Sequence, residues 1–281
     1  YGNLFLCDFD TLLTSPKDID NHCCLLSGHH DSINSIYKYV YNNIHYAITS
    51  SSDCKVMIWN LQTHKCISSL HKGNVSSTLS ACYVLGGKYV VISGNSRELL
   101  LFDSSTGKYI DRICTNNDYT WKVSYHEKTQ QIAVALDNGV IALYRYFNQK
   151  FTHQKTIKVM DEYIGELKFS PKGDKLLAIS YISNIVCVYD ILTEKIVTLN
   201  NMVNQYHDSA TFTSQQNIIT TNLNSANAIG VHTASKNEKQ SLENYSFRCN
   251  GAFSYPDGET VLVSLQNADS IGYFDSNTGS F

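Results

Sequence analysis

One short strand pattern recurs through this chain at a nearly fixed interval, and that period constrains the fold more than any other feature. The pattern is apolar-x-apolar-aromatic, followed by Asp or Asn and a polar turn. It appears as Val-Met-Ile-Trp59-Asn60, Leu-Leu-Leu-Phe102-Asp103, Ile-Ala-Leu-Tyr144-Arg145 and Val-Cys-Val-Tyr189-Asp190. It continues in Ile-Gly-Val-His232-Thr233 and Ile-Gly-Tyr-Phe274-Asp275, with a weaker copy in Leu-Phe-Leu-Cys7-Asp8. From Trp59 onward the intervals are 43, 42, 45, 43 and 42 residues. Between these copies lie other Val/Ile/Tyr-rich runs of four or five residues, and no stretch carries a helical stripe. Short strands at spacings of about ten residues read as a sandwich or a propeller. A period of 40 to 45 decides for the propeller, because each blade of four short strands consumes about that length. The expected fold is therefore all-β, with blades of four antiparallel strands. Blades start near residues 28, 71, 115, 159, 200 and 244.

Residues 1–27 supply two strands of an incomplete blade, and seven copies of the marked strand favour seven blades within one domain, 1–281. A propeller joins its ends to avoid an open edge, so the N- and C-terminal strands are expected to lie close together. Upstream residues or a partner would complete the unfinished blade by adding a strand.

At Trp59 the residues carry a family resemblance. Gly28-His29, Ser51-Ser-Asp53 and Trp59-Asn60 together resemble one full tryptophan–aspartate (WD) repeat. The resemblance implies a hydrogen-bonded tetrad of His29, Ser51, Asp53 and Trp59. The other copies depart from the motif: Phe102, Tyr144, Tyr189, His232 and Phe274 stand where the tryptophan would be. The chain is thus similar to the family along its length by period, and in one repeat by motif. Phe169-Ser-Pro171-Lys-Gly173-Asp and Phe253-Ser-Tyr-Pro256-Asp-Gly258 resemble the family's turn between the first two strands of a blade, and they hold two of the three prolines.

Composition excludes several functions. The net charge is -3, and only Arg97, Arg112, Arg145 and Arg248 carry guanidinium groups. That is poor material for neutralising phosphates, so nucleic acid is not the expected primary ligand. No apolar run approaches the ~18 residues of a membrane span. The chain opens on Tyr1 and reads as an excised domain. Nine cysteines without a Cys-x-x-Cys spacing read as reduced, buried thiols of a cytoplasmic or nuclear protein. His22-Cys23-Cys24 is no metal site, because adjacent strand residues face opposite ways. The ten histidines are scattered apart from His29-His30, and none makes a His-x-x-x-His or Glu-paired spacing. No catalytic residue, metal or cofactor is therefore expected, and the chain is not expected to be an enzyme.

The resemblance implies a surface instead. In WD proteins the residues flanking the first apolar position of each inner strand face the channel mouth at the top of the ring. The matching positions here are Ser32, Asn74, Tyr119, Tyr163, Tyr206 and Phe247, so four successive blades place an aromatic at one site. Trp121 takes the companion position beside Tyr119, and Arg248 follows Phe247. Aromatics with an arginine among them are common anchors of a peptide-binding surface. Packing between blades is the competing reading of these rings. A second set, Tyr37, Tyr39 and Tyr41, alternates along one strand and so shares a face, favouring burial against the adjoining blade.

The expected function is a non-catalytic scaffold that holds a protein partner, as a peptide segment or a subunit, within a multi-subunit eukaryotic complex. Two alternatives come from other classes. Phe253 to Phe274 resembles the repeats of lactonase-type propeller hydrolases, which would need acidic residues or a metal at the channel mouth. A phosphoinositide-binding propeller would need clustered arginines on its rim.

Overall fold

The computed structural model describes residues 2–7, 23–72, 77–115, 118–183, 185–199, 207–222, 229–232, 239–241, 249–254, 260–265 and 270–275. Among them the regular structure is strand apart from one short 3-10 turn at Asp137–Gly139. The chain divides into two compact units, residues 1–132 with 145–152, and residues 133–144 with 153–281.

In the first unit, β1 (Leu4–Cys7) and β2 (Cys23–Leu26) pair as a two-stranded antiparallel sheet. Next come β3 (Ile33–Tyr41), β4 (Ile44–Ser51), β5 (Val56–Asn60) and β6 (Lys65–Leu70), then β7 (Thr78–Val84), β8 (Tyr89–Gly94), β9 (Glu98–Asp103) and β10 (Tyr109–Cys114). Each quartet forms one antiparallel sheet in simple chain order. The sheet of β11 (Lys122–His126), β12 (Gln131–Ala135), β13 (Val140–Phe147) and β14 (Lys150–Lys158) is divided between the units. In the second unit lie β15 (Glu166–Phe169), β16 (Lys175–Ser180), β17 (Ile185–Asp190) and β18 (Ile196–Thr198). They are followed by β19 (His207–Phe212), β20 (Ile218–Asn222), β21 (Ile229–His232) and β22 (Lys239–Ser241). The last sheet holds three strands, β23 (Cys249–Ser254), β24 (Thr260–Leu265) and β25 (Ser270–Asp275). The described residues thus contain five four-stranded blades, one sheet of three strands and one of two.

The burial of each strand follows its rank in the blade. Second and third strands such as β5, β8, β16 and β17 are buried almost end to end, while β6 and β10 are mostly exposed. A strand covered on both faces has no polar side to show, which is why the repeating strand reads as apolar at consecutive positions rather than alternately. Faces meet as paired layers. Ile48, Val56 and Ile58 of one blade pack with Ala81, Val90, Ile92 and Phe102 of the next. In the second unit, Leu177, Ile179 and Val188 pack with Ala210, Phe212 and Ile218. Leu26 of the N-terminal pair packs on Ala47, Met57 and Trp59.

A local device repeats as well. The first strand of four sheets is bulged against its neighbour, at Ile33/Ser35, Thr78/Ser80, His207/Ser209 and Cys249/Gly251. A bulge bends the strand and re-aims the extra side chain. At the first of them, Asn34 turns toward the next blade and donates to the Thr78 carbonyl at 2.8 Å.

The cysteines depart from the expectation of buried thiols. Cys82 and Cys187 are buried, but Cys66 and Cys114 are exposed because they lie on outer strands. Cys23, opposite Cys7 in the register of β1 and β2, is disulfide-bonded.

Gly139 has φ +67, and a β-carbon there would collide with the Met160 backbone carbonyl. Gly86 has φ +65 but open space around it. Gly139→Ala should therefore cost about 3 kcal/mol or more, against about 1 kcal/mol for Gly86→Ala, which meets only the backbone penalty. Denaturant midpoints of the two variants give the comparison.

Candidate functional site

The WD-like repeat closes a buried hydrogen-bond chain, with one member different from the sequence expectation. The Trp59 indole N–H donates to Thr49 Oγ1 at 2.8 Å, and the same hydroxyl lies 2.7 Å from His29 Nε2. His29 Nδ1 is 2.9 Å from Asp53 Oδ2. With Nδ1–H donating to the Asp53 carboxylate, Nε2 is left to accept the Thr49 hydroxyl, so each polar atom along the chain has a partner. Ser51, expected in this place, serves elsewhere. It accepts the Asp53 amide at 3.1 Å and donates to the Asp31 carbonyl at 3.2 Å. The register explains the exchange. Trp59 stands opposite Ala47 and Met57 opposite Thr49, so the indole lies one pleat from Thr49 and two from Ser51. Positions 49 and 51 share a face of β4, and the sequence pattern alone could not choose between their hydroxyls.

Burial alone would push the Asp53 carboxyl up. The His30 amide, the His29 imidazole and the Lys55 amide outweigh it and hold the group below its ordinary value of 3.8. At the turns after the repeating strands, one Asx motif recurs. Asn60 Oδ1 accepts the amides of Gln62 and Thr63, Asp103 those of Ser105 and Thr106, and Asp190 those of Leu192 and Thr193. The Ser105 hydroxyl and the Thr106 amide and hydroxyl draw the Asp103 carboxyl down to about 2.

The aromatic positions fall at the opposite blade ends from these turns. Tyr119 and Trp121 flank Thr120, which is fully buried. The Thr120 amide donates to the Ser96 carbonyl at 3.1 Å, and its hydroxyl donates to the Gly94 carbonyl at 3.1 Å. The loop ahead of β11 is thereby pinned to the turn between β8 and β9. Tyr119 is 38 % exposed with the Arg97 guanidinium 5.2 Å from its ring centre, and Trp121 is half-buried. In the second unit Tyr163 is half-buried in the loop ahead of β15, beside the fully buried Ile164. Ser32 is exposed. Asn74, Tyr206, Phe247 and Arg248 lie outside the described residues.

The sequence reading missed the threonine clamps between blades. Thr78 Oγ1 accepts the Ser51 amide at 3.0 Å and lies 2.8 Å from the Ser51 carbonyl, much as Thr120 holds Gly94. Thr78 and Thr120 are 42 residues apart, one blade period, which was the available signal. Two further links join inner strands: Lys122 Nζ to the Asn34 carbonyl at 3.3 Å, and Lys168 Nζ to the Ala210 carbonyl at 2.9 Å.

Thr49→Val should cost about 2–4 kcal/mol by stranding the buried indole N–H and imidazole, whereas Ser51→Ala should cost about 1 kcal/mol. Urea midpoints of both variants would reverse order if Ser51 were the tetrad hydroxyl. Because the folded Asp53 pKa is lowered, its contribution is complete above the unfolded value of 3.8 and is lost as pH falls through the folded value. Asp53→Asn should flatten the acid limb of a stability–pH curve below about pH 4 and leave its slope near neutrality unchanged.

Comparison with known proteins agrees with this geometry. Residues 123–209 match the family model described as the anaphase-promoting complex subunit 4 WD40 domain. The chain is similar to the U3 small nucleolar RNA-associated protein 12 of Saccharomyces cerevisiae, 24% identical over 192 residues. It is also similar to WD repeat-containing protein 3 of Mus musculus and of Homo sapiens, at 23% and 22%. These matches cover 63% and 65% of this chain but 20% of each relative, so the chain spans a small part of their length. Four-stranded blades in chain order, a tetrad closed on Trp59 and relatives of this kind give the chain a divergent likeness to the WD-repeat β-propeller family.

Proposed function

We propose that this domain is a non-catalytic scaffold that holds a peptide segment of a protein partner, with Tyr119 and Trp121 as anchors and the sequence-matched positions Tyr163, Tyr206, Phe247 and Arg248 as further contacts. The observation that carries it is the fixed loop of Tyr119 and Trp121. Thr120 anchors the backbone by hydrogen bonds to Gly94 and Ser96, so two large rings sit on a support that costs little to order on binding. Arg97 adds a cation at the same edge, suited to a carboxylate on the partner.

WD-repeat relatives favour a role within a multi-subunit complex, and one of them is by name associated with a small nucleolar RNA. That likeness supports a nuclear setting. The net charge of -3 favours contact with a protein of such an assembly over direct contact with its RNA.

Affinity capture on the full-length protein would identify the partner. Trp121→Ala and Tyr163→Ala should then each weaken its binding by about 2 kcal/mol, the range of interface hot spots, with little change in melting temperature. Normal binding by the double variant, measured by calorimetry, would move the partner to another face.

A further inference from the structure

A second surface lies at the other end of the first unit's strands, where the β3–β4, β7–β8 and β9–β10 turns come together. A cavity of about 640 Å³ opens there between two blades, lined by Tyr39, Tyr41, Tyr46, Tyr83, Gly87 and Lys88 among others. That volume is in the range of small-ligand and peptide pockets. The alternating tyrosines of β3 do not all bury themselves against the next blade. Tyr39 packs on Tyr83 with ring centres 4.7 Å apart and planes tilted by 40°, while Tyr41 is 53 % exposed. The rings of Tyr39 and Tyr41 are nearly parallel, 15° between planes, with centres 6.5 Å apart.

The wall is built rather than incidental. Gly87 has φ +80, and any β-carbon there would meet the Tyr39 ring. The turn that carries it is tied to the following blade: the Leu85 amide donates to Tyr125 Oη at 3.2 Å, and the Gly86 amide to the Glu127 carboxylate at 3.0 Å. Among the described residues, no protein group hydrogen-bonds to the hydroxyls of Tyr39, Tyr41, Tyr46 or Tyr83. Burial, with Glu127 and Tyr41 nearby, raises the Tyr39 pKa.

We infer that this cavity binds a proline-containing peptide segment in the polyproline II conformation. Such a segment has no internal hydrogen bonds and points its carbonyls outward, while proline lacks an N–H. It therefore needs aromatic faces and donors, which four phenols and the Lys88 ammonium supply. Lys88 disfavours a cationic ligand, and the Asp103 carboxylate in the lining is engaged by Ser105 and Thr106.

The test is calorimetric titration of the 281-residue chain with end-blocked decaproline, with a Gly-Ser decapeptide and tetramethylammonium as comparators. Saturable decaproline binding is expected, weakened at least tenfold by Tyr41→Ala and several-fold by Tyr41→Phe, which keeps the ring and removes the donor. The inference is overturned if decaproline fails to saturate in the low-millimolar range, or if the Gly-Ser peptide binds as well. Displacement by tetramethylammonium, which would mark a cation cage, or unaltered binding by Tyr41→Ala would overturn it equally.

Discussion

A four-stranded sheet of this size cannot bury two apolar faces by itself, and everything else in the structure follows from that constraint. Its middle strands must be covered on both sides, so each blade is completed only by neighbours. Ile48, Ile58, Val90 and Phe102 form one such shared layer. The threonine clamps, the bulged inner strands and the lysine links are polar devices that fix the stacking. They matter because an apolar layer alone is non-directional.

The fold was legible because this constraint writes itself into the sequence at a fixed period. The repeating strand is apolar at consecutive positions and ends in Asx, a combination that few other architectures keep for six turns of the chain. The tetrad was legible in three members and not in the fourth. His29, Asp53 and Trp59 were marked by the Gly-His and Trp-Asn ends of the repeat, whereas Thr49 and Ser51 are both hydroxyls on one face of β4, and register alone separates them.

Other features were hidden for a different reason: the chain uses unexpected residues for familiar geometry. Four residues after Asn60, Asp103 and Asp190, the turn is closed in the left-handed region by His64, Gly107 and Glu194. One glycine in three gives no consensus to read. Thr120 looked unremarkable between two aromatics, yet it holds the loop. The tyrosines of β3 were expected to pack between blades. Tyr39 does so, while Tyr41 extends past the end of the layer because the strand is longer than its neighbour β7.

The Asx turns also bear on the order in which the chain organises. Each links the third and fourth strands of a blade through contacts only a few residues apart, so its loop closure is cheap. Hairpins of this kind form in about 1–10 μs, well before distant strands can meet. The outer hairpin of a blade can thus exist while its inner strand still awaits the next blade. During synthesis the growing chain would carry a series of locally closed hairpins whose apolar sides are covered one neighbour at a time.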